Sequence, residues 1–227
     1  MKTNHVLQAA RRILRADPEQ ITPFVDVPVG NIVDALGRTA AMAAAVKPVT
    51  AATAFAGTAL TVDAGPRDNL APWAALRLAE PGDVLVVATG PHADHSVCGD
   101  VLIGMAKNAG IVAIVTDGMM RDRAGATALD IPVFAAGVHP NSPQKNGPGK
   151  VGLPIVCGGV AVAAGDIVCG DADGVVVIPA HRREEAHTAL AAIRKKEAEM
   201  EAAVAKGAKV PGWIEEIAME DLFTFVD

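Results

Sequence analysis

The sequence is poor in aromatic residues, with no tyrosine, two tryptophans and five phenylalanines among 227 residues. A hydrophobic core must therefore be built from aliphatic side chains. A hydrophobic content of 51% supplies enough of them for a sizeable core at this length. We expect a single domain over residues 1–227.

Long apolar runs are also lacking. No stretch approaches the roughly 20 residues needed to span a bilayer, and residues 1–16 lack the continuous apolar segment of a signal peptide. The three cysteines, Cys98, Cys157 and Cys169, are odd in number and show no C-x-x-C spacing of the kind that binds metals. We therefore expect a cytoplasmic protein without a membrane partner, whose thiols are reduced and buried.

Positive charge is in deficit, with 20 Lys and Arg against 26 Asp and Glu and a formal net charge of −6. Binding to nucleic acid needs clustered Lys and Arg to neutralise phosphates. We therefore expect no nucleic-acid partner, although an acidic surface could still bind a protein.

Helical and strand patterns alternate through the first half of the chain. Helical spacing predicts helices over residues 6–15, 29–37 (with Asn31 as the N-terminal cap and Gly37 as the stop), 70–79, 101–108 and 122–129. Apolar runs predict strands over residues 57–62, 84–88, 111–115 and 132–135. Strands that alternate with short helices indicate an α/β fold with parallel strands.

The second half has a different pattern. Residues 137–159 are rich in Gly and Pro, and are either a long functional loop or several short strands joined by turns. Residues 167–169 and 175–178 predict a β-hairpin, with Asp171 and Asp173 as turn formers. A charge-rich helix is predicted over residues 180–206, and Pro211 begins a last short one.

The most informative segment is residues 99–122. It opens with Gly-Asp-Val-Leu at the start of a predicted helix, where the first N–H groups have no partner inside the helix and favour an anion. Gly99 would let such an anion approach closely. The alternative is an ordinary helix start in which Asp100 only complements the helix dipole.

The same segment ends in Asp-Gly-Met-Met-Arg-Asp, directly after a buried strand. The guanidinium of Arg121 is suited to bidentate binding of a carboxylate, and the carboxylates of Asp100, Asp117 and Asp122 are hard ligands for a divalent cation. Residues at the carboxyl ends of parallel strands commonly line a binding crevice. The alternative is a self-contained surface pair between Arg121 and Asp122.

Other polar residues are weaker candidates. His92, Asp94 and His95 have a spacing that suits a metal site or a general base, or they are simply solvated loop residues. His139 and Lys145 could meet a second carboxylate on a longer substrate. The charged run around residues 194–199 is typical of a solvated helix face.

These motifs together resemble the class II pyruvate aldolases that cleave 4-hydroxy-4-methyl-2-oxoglutarate and 4-carboxy-4-hydroxy-2-oxoadipate. The resemblance rests on Gly-Asp-Val-Leu-Ile-Gly at 99–104 and Asp-Gly-Met-Met-Arg-Asp at 117–122, with Asp-Asn-Leu at 68–70 upstream. It continues through Lys-Asn-Gly-Pro-Gly at 145–149 and Asp-Ala-Asp-Gly-Val-Val-Val-Ile-Pro at 171–179. It spans residues 25–197, and the same fold family includes RraA-like regulators of ribonuclease E.

The resemblance implies how the substrate is held. The backbone amides of Gly99, Asp100, Val101 and Leu102, together with the side chain of Arg121, would bind its pyruvate part. Arg121 and Asp100 would be the catalytic side chains.

The resemblance also implies a divalent cation, Mg²⁺ or Mn²⁺. Asp122 would bind the cation directly or through water, and Asp100 would contact its water shell. Glu197 of a neighbouring subunit would complete the metal site.

The implied fold is α/β, a single three-layer α/β/β domain of the RraA-like, swivelling type. Residues 180–227 would form a helical extension packed on a neighbouring subunit of a trimer or a dimer of trimers. The implied reaction cleaves a 4-hydroxy-2-oxo acid to pyruvate and a second oxo acid or aldehyde, with oxaloacetate decarboxylation as a side reaction. The alternative is a non-catalytic regulator that binds a ribonuclease or another protein. The presence of Arg121 and Asp122 favours the enzyme.

This chain departs from the aldolase pattern in two places. Arg-Ala-Gly-Ala at 123–126 stands where an additional acid is usual, and Val-His-Pro-Asn at 138–141 stands where many relatives carry a Thr-Pro-Arg type of sequence. Both departures concern the second half of the substrate, so its identity stays open.

Overall fold

The computed structural model describes residues 7–90 and 94–226. The strands in these residues are β1 (Leu7–Ala9), β2 (Lys47–Pro48), β3 (Phe55–Asp63), β4 (Asp83–Ala88), β5 (Ser96–Cys98), β6 (Ala113–Thr116), β7 (Met119–Met120), β8 (Val133–Ala135), β9 (Gly137–Val138), β10 (Gly149–Val151), β11 (Ile155–Cys157), β12 (Val160–Val162), β13 (Ile167–Asp171) and β14 (Gly174–Ile178). The helices are α1 (Pro18–Ile21), α2 (Val29–Ala35), α3 (Leu70–Ala75), α4 (Asp100–Asn108), α5 (Arg123–Ala128), α6 (Arg183–Ala205), α7 (Gly212–Glu215) and α8 (Met219–Leu222), with 3₁₀ turns at Thr22–Phe24 and Ala180–Arg182.

A nine-stranded mixed sheet forms the centre of the fold. Its main path is β1-β10-β3-β4-β6-β8-β2, and the β13–β14 hairpin joins it through β3. Strands β3, β4, β6 and β8 are parallel, as the alternation of strands with short helices predicted. All six residues of β4 are buried, because both faces of the sheet are covered by other elements.

The alternation of side chains along the central strands divides the core in two. Leu85 and Val87 of β4 point into a cluster that includes Leu102 and Ile103 of α4, on the helix side of the sheet. Val84 and Val86 point to the opposite side.

The opposite side of the sheet contacts further β structure. The cluster that holds Val84 and Val86 also contains Ile155 and Cys157 of β11 and Val168 of β13. A third cluster packs α2 and the first turns of α6 on the β13–β14 hairpin. The expected three-layer α/β/β fold with a long C-terminal helix is confirmed.

The hairpin of β13 and β14 also caps helix α2. The Asp171 Oδ2 atom accepts a hydrogen bond of 2.9 Å from the backbone N–H of Val29, the first residue of α2. The prediction that Asn31 caps this helix is wrong, because Asn31 lies inside it and the capping carboxylate comes from a residue far away in the sequence. The stop at Gly37 is confirmed by its left-handed φ of 73°.

The helix predicted over residues 6–15 is also wrong. From Leu7 onwards the chain forms the edge strand β1, which pairs in parallel with β10. The Arg15 guanidinium then donates to both carboxylate oxygens of Asp83 at 2.9 Å, and Asp83 is 1% exposed. Pairing with a distant strand has overridden the local helical spacing.

The segment between residues 137 and 159 takes the second of its two predicted forms, short strands (β9, β10 and β11) joined by turns. The predicted long helix forms as a 3₁₀ turn followed by α6, which buries only Ala186 and Leu190. None of the helices in residues 7–90 and 94–226 is long and apolar enough to cross a membrane.

Candidate functional site

A second, three-stranded parallel sheet lies beyond the ends of the central strands. It runs β5-β7-β9, and each of its strands follows one of the central strands β4, β6 and β8 along the chain. Cys98 pairs with Met120, and Met120 pairs with Val138. Polar residues that follow these strands therefore emerge side by side at one edge.

Two hydrogen bonds fix this edge. The backbone N–H of Arg121 donates to the carbonyl of Cys98 at 2.9 Å, and that of His139 donates to the carbonyl of Met120 at 2.8 Å. The segment that begins at Gly99 and the pair of Arg121 and Asp122 are thus neighbours, as expected from the sequence.

The edge opens into a cleft. It is lined by Asn69, Trp73, Ser96, Cys98, Gly99, Asp100, Val101, Leu102, Arg121, Asp122, Ser142, Pro143 and Lys145. Every residue predicted to bind the pyruvate part of a substrate lines it, and so does Asp122.

Asp122 approaches Gly99 closely. It caps α5 in a left-handed conformation, with φ of 58° and ψ of 40°, which Asp tolerates better than most residues. A Cβ atom built on Gly99 would overlap the Asp122 Oδ2 atom and lie 3.3 Å from the Arg121 Nε atom. Gly99 is therefore required by space rather than by backbone conformation, since its φ of −141° is extended.

The side chain of Arg121 is held from two sides. Its Nε atom donates to the Asp122 Oδ2 atom at 3.1 Å, and its Nη1 atom donates to the Ser142 hydroxyl. The surface pair between Arg121 and Asp122, which was the alternative to a binding site, therefore exists, and the two side chains are 36% and 40% exposed. It lies in the wall of the cleft, where the free edge of the guanidinium remains available to an anion.

Asp100 begins α4 and faces the start of α5. Its Oδ1 atom accepts a hydrogen bond of 2.7 Å from the backbone N–H of Val101, so one of the four amides expected to bind an anion is already occupied. A Cβ atom on Gly125 would lie 2.5 Å from the Asp100 Oδ2 atom. The small residue at 125 thus makes room for this carboxylate.

The third predicted carboxylate does not reach the cleft. The Asp117 Oδ1 atom accepts hydrogen bonds from the backbone N–H of Thr89 at 2.8 Å and from its hydroxyl at 3.2 Å. Its Oδ2 atom accepts one from the backbone N–H of Gly158 at 3.3 Å. Asp117 therefore joins its own segment to those of Thr89 and Gly158. The carboxylates that line the cleft are those of Asp100 and Asp122.

Cys98, which also lines the cleft, is buried. Burial, with a smaller contribution from the charge of Asp122, raises the pKa of the Cys98 thiol to about 12. The thiol is therefore protonated at neutral pH and is not a nucleophile. This agrees with the expectation of a buried, reduced cysteine.

Asn69 and Trp73 also line the cleft, although the sequence analysis did not name them as candidate site residues. Asn69 is 5% exposed and its Oδ1 atom has no hydrogen-bond partner, while the Nε1 atom of Trp73 is also buried without a partner. Asn69 belongs to the Asp-Asn-Leu motif at 68–70, but that motif alone does not indicate that its side chain is buried at the cleft. Lys145 was considered for a second carboxylate, and it does line the cleft.

The candidate histidines His95 and His139 do not line the cleft. His139 follows β9, but its Nδ1 atom accepts a hydrogen bond from the backbone N–H of Asn141 at 3.2 Å. The Nδ1 atom of His95 lies 3.3 Å from the Asp94 carboxylate, outside the cleft. His92 lies outside the described residues.

Glu197 does not reach the cleft of its own chain. It lies in a separate groove between α2 and α6, where it accepts a hydrogen bond from the side-chain amide of Asn31. Its contribution to a neighbouring subunit stays a prediction.

The donor chemistry of the cleft fits a hard divalent cation. Within residues 7–90 and 94–226 no three His, Cys, Asp or Glu side chains come together as a closed metal site. Mg²⁺ is commonly bound through only one or two carboxylates while it keeps several waters. Asp122 and Asp100, both on the cleft and both accessible, match that requirement.

A family model and a named relative each match most of this chain. The family description "RraA-like: Aldolase/RraA" matches residues 29–177. A protein of Halalkalibacterium halodurans with the name "Putative 4-hydroxy-4-methyl-2-oxoglutarate aldolase" is 38% identical over 188 residues, which cover 83% of this chain and 88% of that protein.

Solved structures share the fold. An uncharacterized protein from Pseudomonas syringae pv. tomato superposes with a TM-score of 0.77 at 22% identity, over 88% of this chain and 94% of that one. The RNA-processing inhibitor RraA from Thermus thermophilis superposes with a TM-score of 0.63 at 25% identity, over 68% and 93% of the two chains.

Proposed function

The chain belongs to the RraA-like family of aldolases and RraA proteins, and we propose that it is a divalent-metal-dependent aldolase. It would cleave a 4-hydroxy-2-oxo acid to pyruvate and a second oxo acid or aldehyde. The observation that carries the proposal is the cleft itself, where the guanidinium of Arg121 and the carboxylate of Asp122 lie against Gly99 at the start of α4. The name of the H. halodurans relative supports the same reaction class.

The pyruvate part of the substrate would bind between Arg121 and the start of α4. The hydrogen bond from Arg121 to Ser142 fixes the plane of the guanidinium, so that its remaining N–H groups can bind a carboxylate in a bidentate manner. The amides of Gly99, Asp100 and Leu102 would add donors, because first-turn N–H groups have no partner inside a helix.

The same groups would stabilise the enolate. When the bond between C3 and C4 breaks, negative charge develops on the 2-oxo oxygen, and Arg121 is a fixed positive charge beside it. A water held by Asp100 would pass the proton of the 4-hydroxyl group to the Asp100 carboxylate and later return a proton to C3 of the enolate, which gives pyruvate. Oxaloacetate would lose carbon dioxide through the same enolate, which makes its decarboxylation an expected side activity.

Asp122 would hold the divalent cation, directly or through water, and Asp100 would contact its water shell. When bound, such a cation would polarise the 2-oxo group as a Lewis acid. A Schiff base is not required. The amine of Lys107 donates to the carbonyl of Leu129, so it is engaged on the far side of α4.

Lys145 would recognise the rest of the substrate. It lies at the rim of the same cleft, exposed to solvent. A flexible ammonium group there would suit a second carboxylate, such as that of a 2-oxo diacid.

The site would be completed by assembly. We propose that Glu197 enters the cleft of a neighbouring subunit in a trimer or a dimer of trimers, and that residues 180–227 pack on that neighbour. The exposed apolar side chains near the C-terminus support such packing, because no residue in 7–90 or 94–226 covers them. The largest of them are Trp213, Phe223 and Phe225.

The proposal is tested by pyruvate release from 4-hydroxy-4-methyl-2-oxoglutarate. Treatment with a chelator should abolish release, and added Mg²⁺ or Mn²⁺ should restore it. Arg121→Lys should lower kcat/KM by about a hundredfold, because a single ammonium group cannot replace the bidentate contact. Arg77→Lys, at an exposed position away from the cleft, is the matched control and should be unaffected.

Full activity of Arg121→Lys, or of the chelated protein, would contradict the site assignment.

A second candidate function is a non-catalytic regulator, supported by the likeness to the T. thermophilis RraA. It predicts capture of a ribonuclease by the purified protein, with no pyruvate release from any 4-hydroxy-2-oxo acid.

A further inference from the structure

Residues 141–146, which we call the strap, contribute three residues to the lining of the cleft. These are Ser142, Pro143 and Lys145. The strap runs from β9 towards β10 and overlaps the Lys-Asn-Gly-Pro-Gly motif at 145–149. The way in which the strap is held therefore decides where Lys145 stands in the cleft.

The residue before Lys145 is held by backbone hydrogen bonds. The N–H of Gln144 donates to the carbonyl of Arg67 at 2.8 Å, and the carbonyl of Gln144 accepts from the N–H of Asn69 at 2.9 Å. Together the two bonds form an isolated parallel bridge between Gln144 and Asp68. Gln144 therefore cannot shift without breaking both bonds.

The residue after Lys145 is held by a carboxylate. The Asp68 Oδ2 atom accepts a hydrogen bond of 2.6 Å from the backbone N–H of Asn146. Its Oδ1 atom accepts one of 2.8 Å from the backbone N–H of Leu70, the first residue of α3. Asp68 is 7% exposed, and a buried carboxylate is tolerated only where its oxygens are hydrogen-bonded. Asp68 thus joins the strap to the start of α3.

This contact connects two motifs that are distant in the sequence. Asp68 belongs to the Asp-Asn-Leu motif at 68–70, and Asn146, 78 residues later, belongs to the motif at 145–149. The reaction proposed above uses neither side chain. The contact nevertheless fixes the backbone of Lys145, because both neighbours of that residue are bound to residues 67–69.

The ammonium group of Lys145 is available to a ligand. None of the ion pairs within residues 7–90 and 94–226 includes Lys145. By contrast, the ammonium groups of Lys107 and Lys150 donate to a carbonyl and to a carboxylate, respectively. A lysine has a long flexible stem, so ordering it on a ligand costs free energy. That cost would rise further if the backbone beneath it also had to be ordered.

We propose that Asp68 is a positioning residue, which fixes the strap so that Lys145 binds the second carboxylate of the substrate. This inference rests on the proposed aldolase function. Because Asp68 holds Asn146, the strap is ordered when the protein folds, and binding of the substrate does not have to order it. The hydrogen bond from the ammonium group to the carboxylate is charge-assisted and therefore strong. The site accordingly selects 4-hydroxy-2-oxo diacids over monoacids of the same chain length.

Asp68→Ser tests the inference. Serine can still accept from the N–H of Leu70, as serine does in turns, but it is too short to reach Asn146. The measurements are kcat and KM for 4-hydroxy-4-methyl-2-oxoglutarate and for 4-hydroxy-4-methyl-2-oxopentanoate, in which a methyl group replaces the second carboxylate.

We expect KM for the diacid to rise by about tenfold in Asp68→Ser, since hydrogen bonds to charged groups are the strong ones. The kcat for the diacid should stay within about twofold, because the second carboxylate is bound equally in the ground state and in the transition state. Both constants for the monoacid should stay within about twofold of the wild type. Equal losses for the two substrates would overturn the inference, because they would assign Asp68 a purely structural role. An unchanged KM for the diacid would also overturn it.

A second variant shows whether Asp68 acts through Lys145. Lys145→Met should reproduce the selective rise of KM for the diacid. The double variant of Asp68→Ser and Lys145→Met should lose no more than Lys145→Met alone, because the two residues act as one unit. A further loss in the double variant would overturn the inference.

The matched control is Asp173→Ser, at an exposed turn between β13 and β14 where serine is well tolerated. It should leave all the constants unchanged. Amide hydrogen exchange of the wild type tests the order of the strap without relying on a variant that has to fold. The amides of Gln144 and Asn146 should be protected by about a hundredfold or more before any ligand is added. Protection that arises only with ligand would overturn the inference.

Failure of the proposed function gives a different result, since the wild-type chain would then release no pyruvate from either substrate. Calorimetry in the presence of Mg²⁺ decides the inference in that case. The wild type should bind 2-oxoglutarate about tenfold more tightly than 2-oxopentanoate, which lacks only the second carboxylate, and Asp68→Ser should lose that preference. Equal binding of the two acids by the wild type would overturn the inference.

Discussion

The carboxylate of Asp122 occupies the space that a side chain at Gly99 would need. The backbone of Gly99 is extended, with φ of −141°, so no conformational demand explains the glycine. Its lack of a Cβ atom lets a left-handed aspartate and the guanidinium of Arg121 approach the start of α4. The geometry of the candidate site thus depends on the absence of a Cβ atom at residue 99.

Gly99→Ala should therefore lower the rate of pyruvate release by about a hundredfold while the protein still folds. The added methyl group displaces Asp122 and Arg121, and a displacement of about 1 Å in a catalytic group costs about a hundredfold in rate. Pyruvate release and the thermal midpoint, measured together, separate the two effects.

Gly104→Ala is the control within the same helix. A Cβ atom there would meet only the methyl groups of Leu129, at 3.7 Å. The substitution should leave activity intact and stabilise the protein by about 0.5–1 kcal/mol, because alanine loses less backbone entropy than glycine in a helix. Equal activity of the Gly99 and Gly104 variants would contradict the packing argument.

Complementation between subunits tests the assignment of Glu197. Asp122→Asn and Glu197→Gln should each be inactive alone, yet co-expression of the two should restore activity. With equal amounts and random assembly, about one quarter of the shared sites would combine an intact cleft with an intact Glu197. Mixed oligomers without activity would show that Glu197 does not act in a neighbouring cleft.

The pair of Arg15 and Asp83 should stabilise the fold. Asp83 is almost fully buried, and its hydrogen bond with Arg15 raises the pKa of that guanidinium against the opposing effect of burial. Arg15→Ala leaves a buried charge without its partner and should cost about 3 kcal/mol of the free energy of unfolding.

Urea denaturation measures this cost. Arg11→Ala, at an exposed position in the same segment, should change the free energy of unfolding by less than about 0.5 kcal/mol. Similar values for the two variants would mean that the pair is neutral in this setting.

The ion pair between Arg67 and Asp94 should give a stability difference that depends on pH. The hydrogen bond from Arg67 lowers the pKa of Asp94 to about 2, from an ordinary value of 3.8. Because the folded pKa is the lower one, the stabilisation is present above pH 3.8 and is lost as the pH falls towards 2.

Thermal unfolding of the wild type and Arg67→Gln across this range provides the measurement. Their midpoints should differ slightly at pH 6, since the pair is exposed, and should converge near pH 2. Arg77→Gln should match the wild type throughout. A difference that persists at the lowest pH would require another cause.

The central strands could be predicted because their signal is local. Residues 84–88 and 111–115 are apolar runs between turn residues. The strands that form there, Asp83–Ala88 and Ala113–Thr116, are buried along their whole length. The first strand could not be predicted, since Leu7–Ala9 forms a strand only by pairing with Gly149–Val151, which the local sequence does not reveal. The same limit applies to Asp171, which caps a helix that begins at Val29.

In the candidate site, too, some residues could be predicted from the sequence and one could not. Gly99, Asp100, Arg121 and Asp122 could be placed together from the sequence because they directly follow two strands that pair in parallel. Asp117 has the same chemistry, but Thr89 and Gly158 occupy its carboxylate, and these contacts depend on the tertiary fold.

The small sheet that carries the site consists of strands of three, two and two residues. So short a ladder opens locally at a lower free energy than the long pairing of β3 with β4 beneath it. A ligand that bridges Gly99 and Arg121 would join β5 to β7 from outside and raise the free energy of that opening. Occupancy of the cleft and order in this sheet are therefore linked equilibria. Release of the product would lower the free energy that is needed to open the small sheet locally.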